Sequence, residues 1–152
     1  AYEIMPSLVG SEMCIRDRPV TTPQVINTWQ RTVSETPDGT AGYVVYQDCT
    51  YGEDVTGEQH YDAYFAFAQA AKELGDVAGR KLIWPTMGIT PGWDYDYVQA
   101  VFTSSITDYG KNWTNFWSGK QREMPEWKAL NDLGGECENQ RSFTIVPVKS
   151  AS

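Results

Sequence analysis

His60 is the only histidine in the sequence, and it is a candidate for proton transfer or for ligand binding. A single histidine excludes a metal site built on several imidazoles, and no cysteine or serine is placed clearly beside it to form a nucleophilic dyad. Two roles remain open for His60. It is either a solvated or capping side chain in the first turn of a helix, or a general base or haem ligand. We take it as the one candidate catalytic residue.

Cys49 and Cys137 could form a nucleophile, a metal-binding pair or a disulfide. Two thiols without further ligands make a poor metal site, so we predict no metal site. Cys49 ends one predicted strand and Cys137 precedes another, and in the strand order given below these two ends adjoin. The pair is therefore either a disulfide or two free structural thiols. A disulfide would indicate a periplasmic or secreted protein, and without one the location is unknown.

Charge and motif content exclude several classes of function. The net charge of −8 and the pI near 4.5 argue against binding to nucleic acid or to anionic lipid. No apolar run reaches the length of a membrane span, so we predict neither a nucleic-acid partner nor a membrane. The sequence contains no P-loop, dinucleotide fingerprint or nucleophile elbow, and we therefore predict no cofactor.

The first part of the chain does not resemble a folded segment. Residues 8–17, LVGSEMCIRD, match all ten codons of one reading frame of a transposase adapter used in sequencing libraries. We therefore expect residues 1–18 to be a read-through artefact outside the fold. Residues 19–42 carry turn signals and are expected to form a linker or edge segment. Residues 43–149 are expected to form one α+β domain, and residues 150–152 a tail.

The expected domain alternates between strand and helix patterns. Strands are predicted at 43–50, 81–87, 94–105 and 142–148, and helices at 58–74, at 107–117 and in a further piece starting at Pro125. This β-α-β-β-α-β order is the ferredoxin-like arrangement. Its antiparallel sheet has the strand order 4-1-3-2, with both helices on one face.

The third strand has apolar residues on both faces, which decides how the sheet must be covered. Val98, Ala100 and Phe102 form the more apolar side of that strand, so we expect this side to meet the helices. The face away from the helices then carries the candidate ligand-binding residues Tyr43, Gln47, Tyr97 and Gln99. The two glutamines are either a hydrogen-bonded pair across adjacent strands or polar groups inside an aromatic pocket.

A monomer rarely exposes an apolar sheet face of this size. We therefore expect a second sheet to cover it, contributed by a second copy of the chain or by a lost internal repeat.

The order of these elements, the third strand running into a helix through 94–117, and the broken helix before the last strand resemble the dimeric α/β-barrel superfamily. That superfamily includes the antibiotic-biosynthesis monooxygenase-like and stress-responsive barrel proteins. The resemblance covers residues 43–149 and includes no catalytic motif. It implies a barrel completed by a homodimer or a second repeat. Members range from cofactor-independent oxygenases and haem-handling enzymes to barrels with no known activity.

Two functions follow from these observations. The first is a small-molecule-binding α/β-barrel domain that need not be an enzyme. The alternative is a cofactor-independent oxygenase, or a related barrel enzyme, that acts on a small, partly apolar substrate.

Overall fold

The computed structural model describes residues 26–89 and 91–146 of the chain. The expectations for residues 1–18 and 150–152 lie outside these described residues. The strands are β1 (Asn27–Ser34), β2 (Tyr43–Tyr51), β3 (Gly79–Met87), β4 (Tyr97–Thr103) and β5 (Gly135–Thr144). The helices are α1 (Gly57–Glu73), α2 (Ile106–Ser118), a short 3₁₀ helix (Lys120–Glu123) and α3 (Pro125–Asp132).

The five strands form one antiparallel sheet in the order β1-β3-β4-β2-β5. The predicted α+β class and the antiparallel sheet are confirmed. The strand order differs from the four-stranded expectation because β1 adds an edge strand beside β3. β1 lies within the segment 19–42 that was expected to be a linker or an edge. Its sequence NTWQRTVS is mostly polar and exposed, which suits an edge position.

α1 begins with a capping box that fixes its first turn. The Thr56 side chain accepts a hydrogen bond from the backbone N–H of Gln59, and the Gln59 side chain accepts one from the backbone N–H of Thr56. The apolar stripe of α1 then packs on the sheet together with one residue of α3. The resulting core consists of Val33, Cys49, Tyr64, Phe67, Ala68, Ala71, Leu82, Tyr97 and Leu130.

The assignment of the two sheet faces from the sequence was wrong. Tyr97 packs in the core beneath α1 and is 2% exposed, whereas Ala100 and Phe102 belong to a separate cluster. The face under the helices, here called the helix-covered face, carries Val45, Gln47, Cys49, Leu82, Tyr97, Gln99 and Val101. The opposite face, here called the second face, carries Val44, Tyr46, Ile83, Ala100 and Phe102. The helices cover the less apolar side because aromatic rings from α1 and α2 surround its polar residues.

The last strand was also predicted too late in the chain. β5 begins at Gly135, directly after Gly134, and both glycines have positive φ, 72° for Gly134 and 96° for Gly135. A Cβ on Gly135 would lie 2.4 Å from the backbone oxygen of Thr50, so this turn requires glycine. The sequence GECENQ that opens β5 is polar and exposed. It therefore has no apolar alternation that would mark a strand.

Candidate functional site

A cavity of about 460 Å³ lies between the helix-covered face and the helices. β2 and β4 form its floor, with Val45, Gln47, Tyr97, Gln99 and Val101. The wall is largely aromatic and comes from α1, α2 and α3, with Tyr64, Phe67, Tyr109, Trp113, Phe116, Trp117 and Trp127. The cavity lies between these large rings and a floor on which all the side chains except Tyr97 are shorter than the rings.

Three of the four predicted ligand-binding residues line this cavity. Gln47 and Gln99 are direct partners across β2 and β4, and Tyr97 lies on the same face of the sheet. Tyr43 does not line the cavity, but its ring centroid lies 5.3 Å from that of Tyr109, which does. Among the described residues the two glutamine side chains make no hydrogen bond to each other. Their amides are therefore available to a molecule in the cavity.

The sequence left two roles open for His60, and the structure excludes the first of them. The side chain is neither solvated nor a helix cap. It is 8% exposed on α1, and its Nε2 lies 3.0 Å from the hydroxyl oxygen of Tyr97, within hydrogen-bonding distance. The ring of Tyr51 stacks on that of Tyr97 with centroids 4.8 Å apart. The structure thus places the candidate catalytic residue beside a candidate ligand-binding residue at the same cavity.

Burial determines the protonation of this cluster. Burial lowers the pKa of His60, so its imidazole is neutral near pH 7. Burial raises the pKa of Tyr64 to about 12 and also raises that of Tyr97, so both phenols keep their protons. The second imidazole nitrogen of His60, Nδ1, is buried and has no hydrogen-bond partner within the described part of the chain. No hydrogen bond among the described residues therefore occupies this nitrogen.

The charged pair at the cavity is satisfied internally. Arg80 donates two hydrogen bonds to the carboxylate of Asp76, at 2.9 and 2.6 Å, and both side chains are buried. The backbone N–H of Ala78 and the amide of Asn112 donate to the same carboxylate. Burial alone would raise the pKa of Asp76, but the hydrogen bonds and charge of Arg80 hold it below its ordinary value. This pair therefore offers little unbalanced charge to a ligand.

Gln121 is a cavity residue that the sequence did not reveal. It lies in the 3₁₀ helix between α2 and α3 and is 1% exposed. Neither its Nε2 nor its Oε1 has a hydrogen-bond partner among the residues that the structure describes. The surrounding sequence KQRE is polar and resembles a solvated break between helices, so no sequence signal could have identified it.

Cys49 and Cys137 are joined by a disulfide with a Cα–Cα distance of 4.1 Å. They are direct partners across β2 and β5, and Cys137 also lines the cavity. The bridge ties the polar edge strand β5 to the centre of the sheet.

Metal-binding groups and membrane-spanning helices were both sought among the described residues. Residues 26–89 and 91–146 contain no group of three or more His, Cys, Asp or Glu side chains that could bind a metal ion. No helix in these two ranges has the length and apolar character needed to cross a bilayer.

Comparisons of the chain with protein-family models, with curated proteins and with solved structures found no match. The assignment of a function therefore rests on the cavity and its side chains.

Proposed function

We propose that this chain is a small-molecule-binding α/β domain whose ligand occupies the cavity between the sheet and the helices. The observation that carries the proposal is the combination of an aromatic wall with unpaired amides in one cavity of about 460 Å³. Ligand sites in proteins typically measure about 300–1,000 Å³ and combine apolar walls with a few placed polar groups.

The polar groups of the cavity favour an uncharged ligand. Asp76 and Arg80 neutralise each other, and His60 is neutral near pH 7. Gln47 and Gln99 supply only uncharged donors and acceptors. Arg122 and Glu136 also line the cavity, but they are exposed and carry opposite charges, so the lining as a whole offers no net charge and a neutral, partly apolar molecule fits best.

The proposal can be tested with N-phenyl-1-naphthylamine, an uncharged dye whose fluorescence rises in apolar surroundings. We expect saturable binding of one dye per chain. Val101→Phe should weaken this binding at least tenfold, because Val101 lies on the cavity floor and the larger ring fills the space. Ile83→Phe is the matched control, since Ile83 lies on the second face and its enlargement leaves the cavity unchanged.

Both variants should keep the far-ultraviolet circular dichroism spectrum of the parent chain. Failure of the parent chain to bind the dye at a saturable site would contradict the proposal. Equal dye binding by the parent and Val101→Phe would also contradict it.

The hydrogen bond between His60 and Tyr97 favours a second candidate function, that of an enzyme. With its Nε2 facing the Tyr97 hydroxyl, His60 can accept a proton at Nδ1 from an acidic C–H or O–H group of a bound substrate. A carbanion or enolate formed in this way is also what a cofactor-independent oxygenase needs before dioxygen enters.

This second function can be tested with 2-tetralone, a small, partly apolar ketone with an acidic C–H group. Exchange of that hydrogen for deuterium in D₂O is followed by proton NMR. We expect the parent chain to accelerate the exchange and His60→Gln to return it to the rate in buffer. If the parent chain gives no acceleration, catalysis by His60 is excluded for this substrate class and binding remains the function.

We propose in addition that the second face pairs with that of a second copy, as the resemblance to dimeric α/β barrels implies. Val44, Ala100 and Phe102 form a buried cluster on this face, packed against Ala41, Tyr46, Ile83 and Ile145. None of these seven described residues belongs to a helix, and Phe143 beside Tyr46 is half exposed. The exposed apolar part of this face is therefore Phe143 at its edge, and an exposed aromatic ring beside an apolar cluster supports an interface there.

The disulfide supports an oxidising compartment, either periplasmic or extracellular. Mass spectrometry of the alkylated, unreduced protein from its native source should show Cys49 and Cys137 unmodified. Alkylation of both thiols without prior reduction would contradict this location.

A further inference from the structure

The side chain of Gln121 is in an unusual position for an amide. It is 1% exposed, and neither its donor nor its acceptor atom is paired among the described residues. A buried amide without partners destabilises the folded chain, so native proteins rarely keep one unless another molecule satisfies it. Gln121 lines the cavity, and although its amide atoms are covered there, a rotation of the side chain would bring them to a bound molecule.

A primary amide presents one donor and one acceptor side by side at a fixed spacing. Its complement is a donor and an acceptor on adjacent atoms of the ligand, which allows two parallel hydrogen bonds. Glutamine and asparagine read the edge of adenine in nucleic acids through the same geometry. A ligand with only one of the two groups would leave half of the Gln121 amide unpaired.

The aromatic wall of the cavity favours a flat ligand. Trp127 in α3 contacts Phe116 in α2 edge to face, with ring centroids 4.8 Å apart, and also contacts Phe67, with centroids 5.4 Å apart. All three rings line the cavity. A planar ring can stack on such side chains, whereas a branched aliphatic molecule cannot.

We propose that Gln121 is a specificity-determining residue that selects an uncharged planar ring compound with a donor and an acceptor on adjacent ring positions, the pattern of a cyclic lactam. This inference rests on the proposed function, because it specifies the ligand of the same cavity. Gln47 and Gln99 on the floor bind further polar groups of that ligand.

The test compares two probes that differ in one donor. 2-Quinolone has a lactam N–H beside its carbonyl, and N-methyl-2-quinolone keeps the carbonyl but lacks the donor. Each is titrated against N-phenyl-1-naphthylamine bound to the full chain. We expect 2-quinolone to displace the dye about tenfold more effectively than the N-methyl compound, because only 2-quinolone pairs with both amide atoms.

Gln121→Leu should remove this preference, and the affinity of each variant for the dye is measured first so that displacement by the two probes is compared on one scale. Gln69→Leu is the matched control, since it makes the same change at an exposed position of α1 outside the cavity. This control should keep the tenfold preference of the parent chain.

Equal displacement by both probes, displacement by neither, or a preference that persists in Gln121→Leu would each overturn the inference. In these three cases the bound dye still supports the proposed function. Failure of the dye to bind the parent chain would instead overturn the proposed function, and the role of Gln121 with it.

Discussion

Burial lowers the pKa of His60, which makes the stability of the fold dependent on pH. Well above about pH 6.5 the imidazole is neutral in both the folded and the unfolded chain. As the pH falls below that value, the unfolded chain binds a proton that the folded chain does not bind. The free energy of unfolding should therefore decrease from pH 7.5 to 5.5, and the decrease should end below the pKa of the folded state.

Urea unfolding at pH 7.5, 6.5 and 5.5 measures this effect. His60→Gln keeps a neutral hydrogen-bonding side chain next to Tyr97 and removes the titration. Because His60 is the only histidine, the variant should show a flatter dependence on pH over this range. An unchanged slope in the variant would show that His60 is not the group responsible.

The unpaired amide of Gln121 should make its removal stabilising in the absence of ligand. Leucine has a similar size and no polar atoms, so Gln121→Leu avoids the cost of an unsatisfied buried amide. We expect the free energy of unfolding to rise by about 1–2 kcal/mol, in the range measured for such groups. The exposed control Gln69→Leu should change it by less than about 0.5 kcal/mol.

Thermal and urea unfolding of the three proteins provide the comparison. A loss of stability in Gln121→Leu would show that the amide is already satisfied without a ligand. In that case its role in ligand selection would lose its physical basis.

At the scale of the elements, the disulfide closes a long section of the chain. Cys49 and Cys137 are separated by 88 residues, and their bond restricts the unfolded chain over that whole length. Reduction should lower the free energy of unfolding by about 2–4 kcal/mol. The bridge should matter most for β5, which is exposed throughout and is held at the sheet edge by β2.

Urea unfolding with and without a reductant tests this expectation. The double variant Cys49→Ala/Cys137→Ala is the control, because a reductant should then have no effect. Equal stability of the oxidised and reduced parent chains would contradict the expectation.

The sequence predicted the elements that carry a periodic apolar pattern. α1 has such a stripe, and its observed limits differ from the predicted range 58–74 by one residue at each end. β5 has a polar opening, and its start was missed by seven residues. β1, also mostly exposed, lies in a segment that was expected to be only a linker or an edge. Edge strands are polar because one side of their backbone faces water, so apolar alternation cannot reveal them.

Only the part of the site whose placement depends on strand pairing could be predicted from the sequence. Alternation placed Gln47, Tyr97 and Gln99 on one face, and these three residues do lie together. Which face the helices cover depends on packing between elements, and a count of apolar residues gave the wrong side. Gln121 could not be found at all, because its burial results from the way α2 and α3 meet around a polar segment.

The whole molecule has one sheet face under helices and another face without helical cover in the described part of the chain. On the helix-covered face the rings of α1, α2 and α3 line a cavity, whereas the second face carries only strand side chains and their neighbours. The partners that we propose for the two faces therefore differ, a small molecule on one and a second sheet on the other. Assembly can be tested without disturbing the cavity.

Phe143 provides that test because it is 52% exposed in the single chain and its ring lies 6.0 Å from that of Tyr46 on the second face. Phe143→Lys should leave the fold intact but place an unpaired charge in a sheet-to-sheet interface, which opposes association. Ile106→Lys is the matched control, since Ile106 is 65% exposed at the start of α2, away from the second face.

Sedimentation velocity should show dimers for the parent chain and for Ile106→Lys, and monomers for Phe143→Lys. A stable interface would bury about 1,200 Å² or more in total, so the dimer should persist at micromolar concentration. A monomeric parent chain, or a Phe143→Lys variant that remains dimeric, would contradict pairing through the second face. Dye binding by monomeric Phe143→Lys would show in addition that the cavity is complete within one chain, because its described lining comes from a single copy.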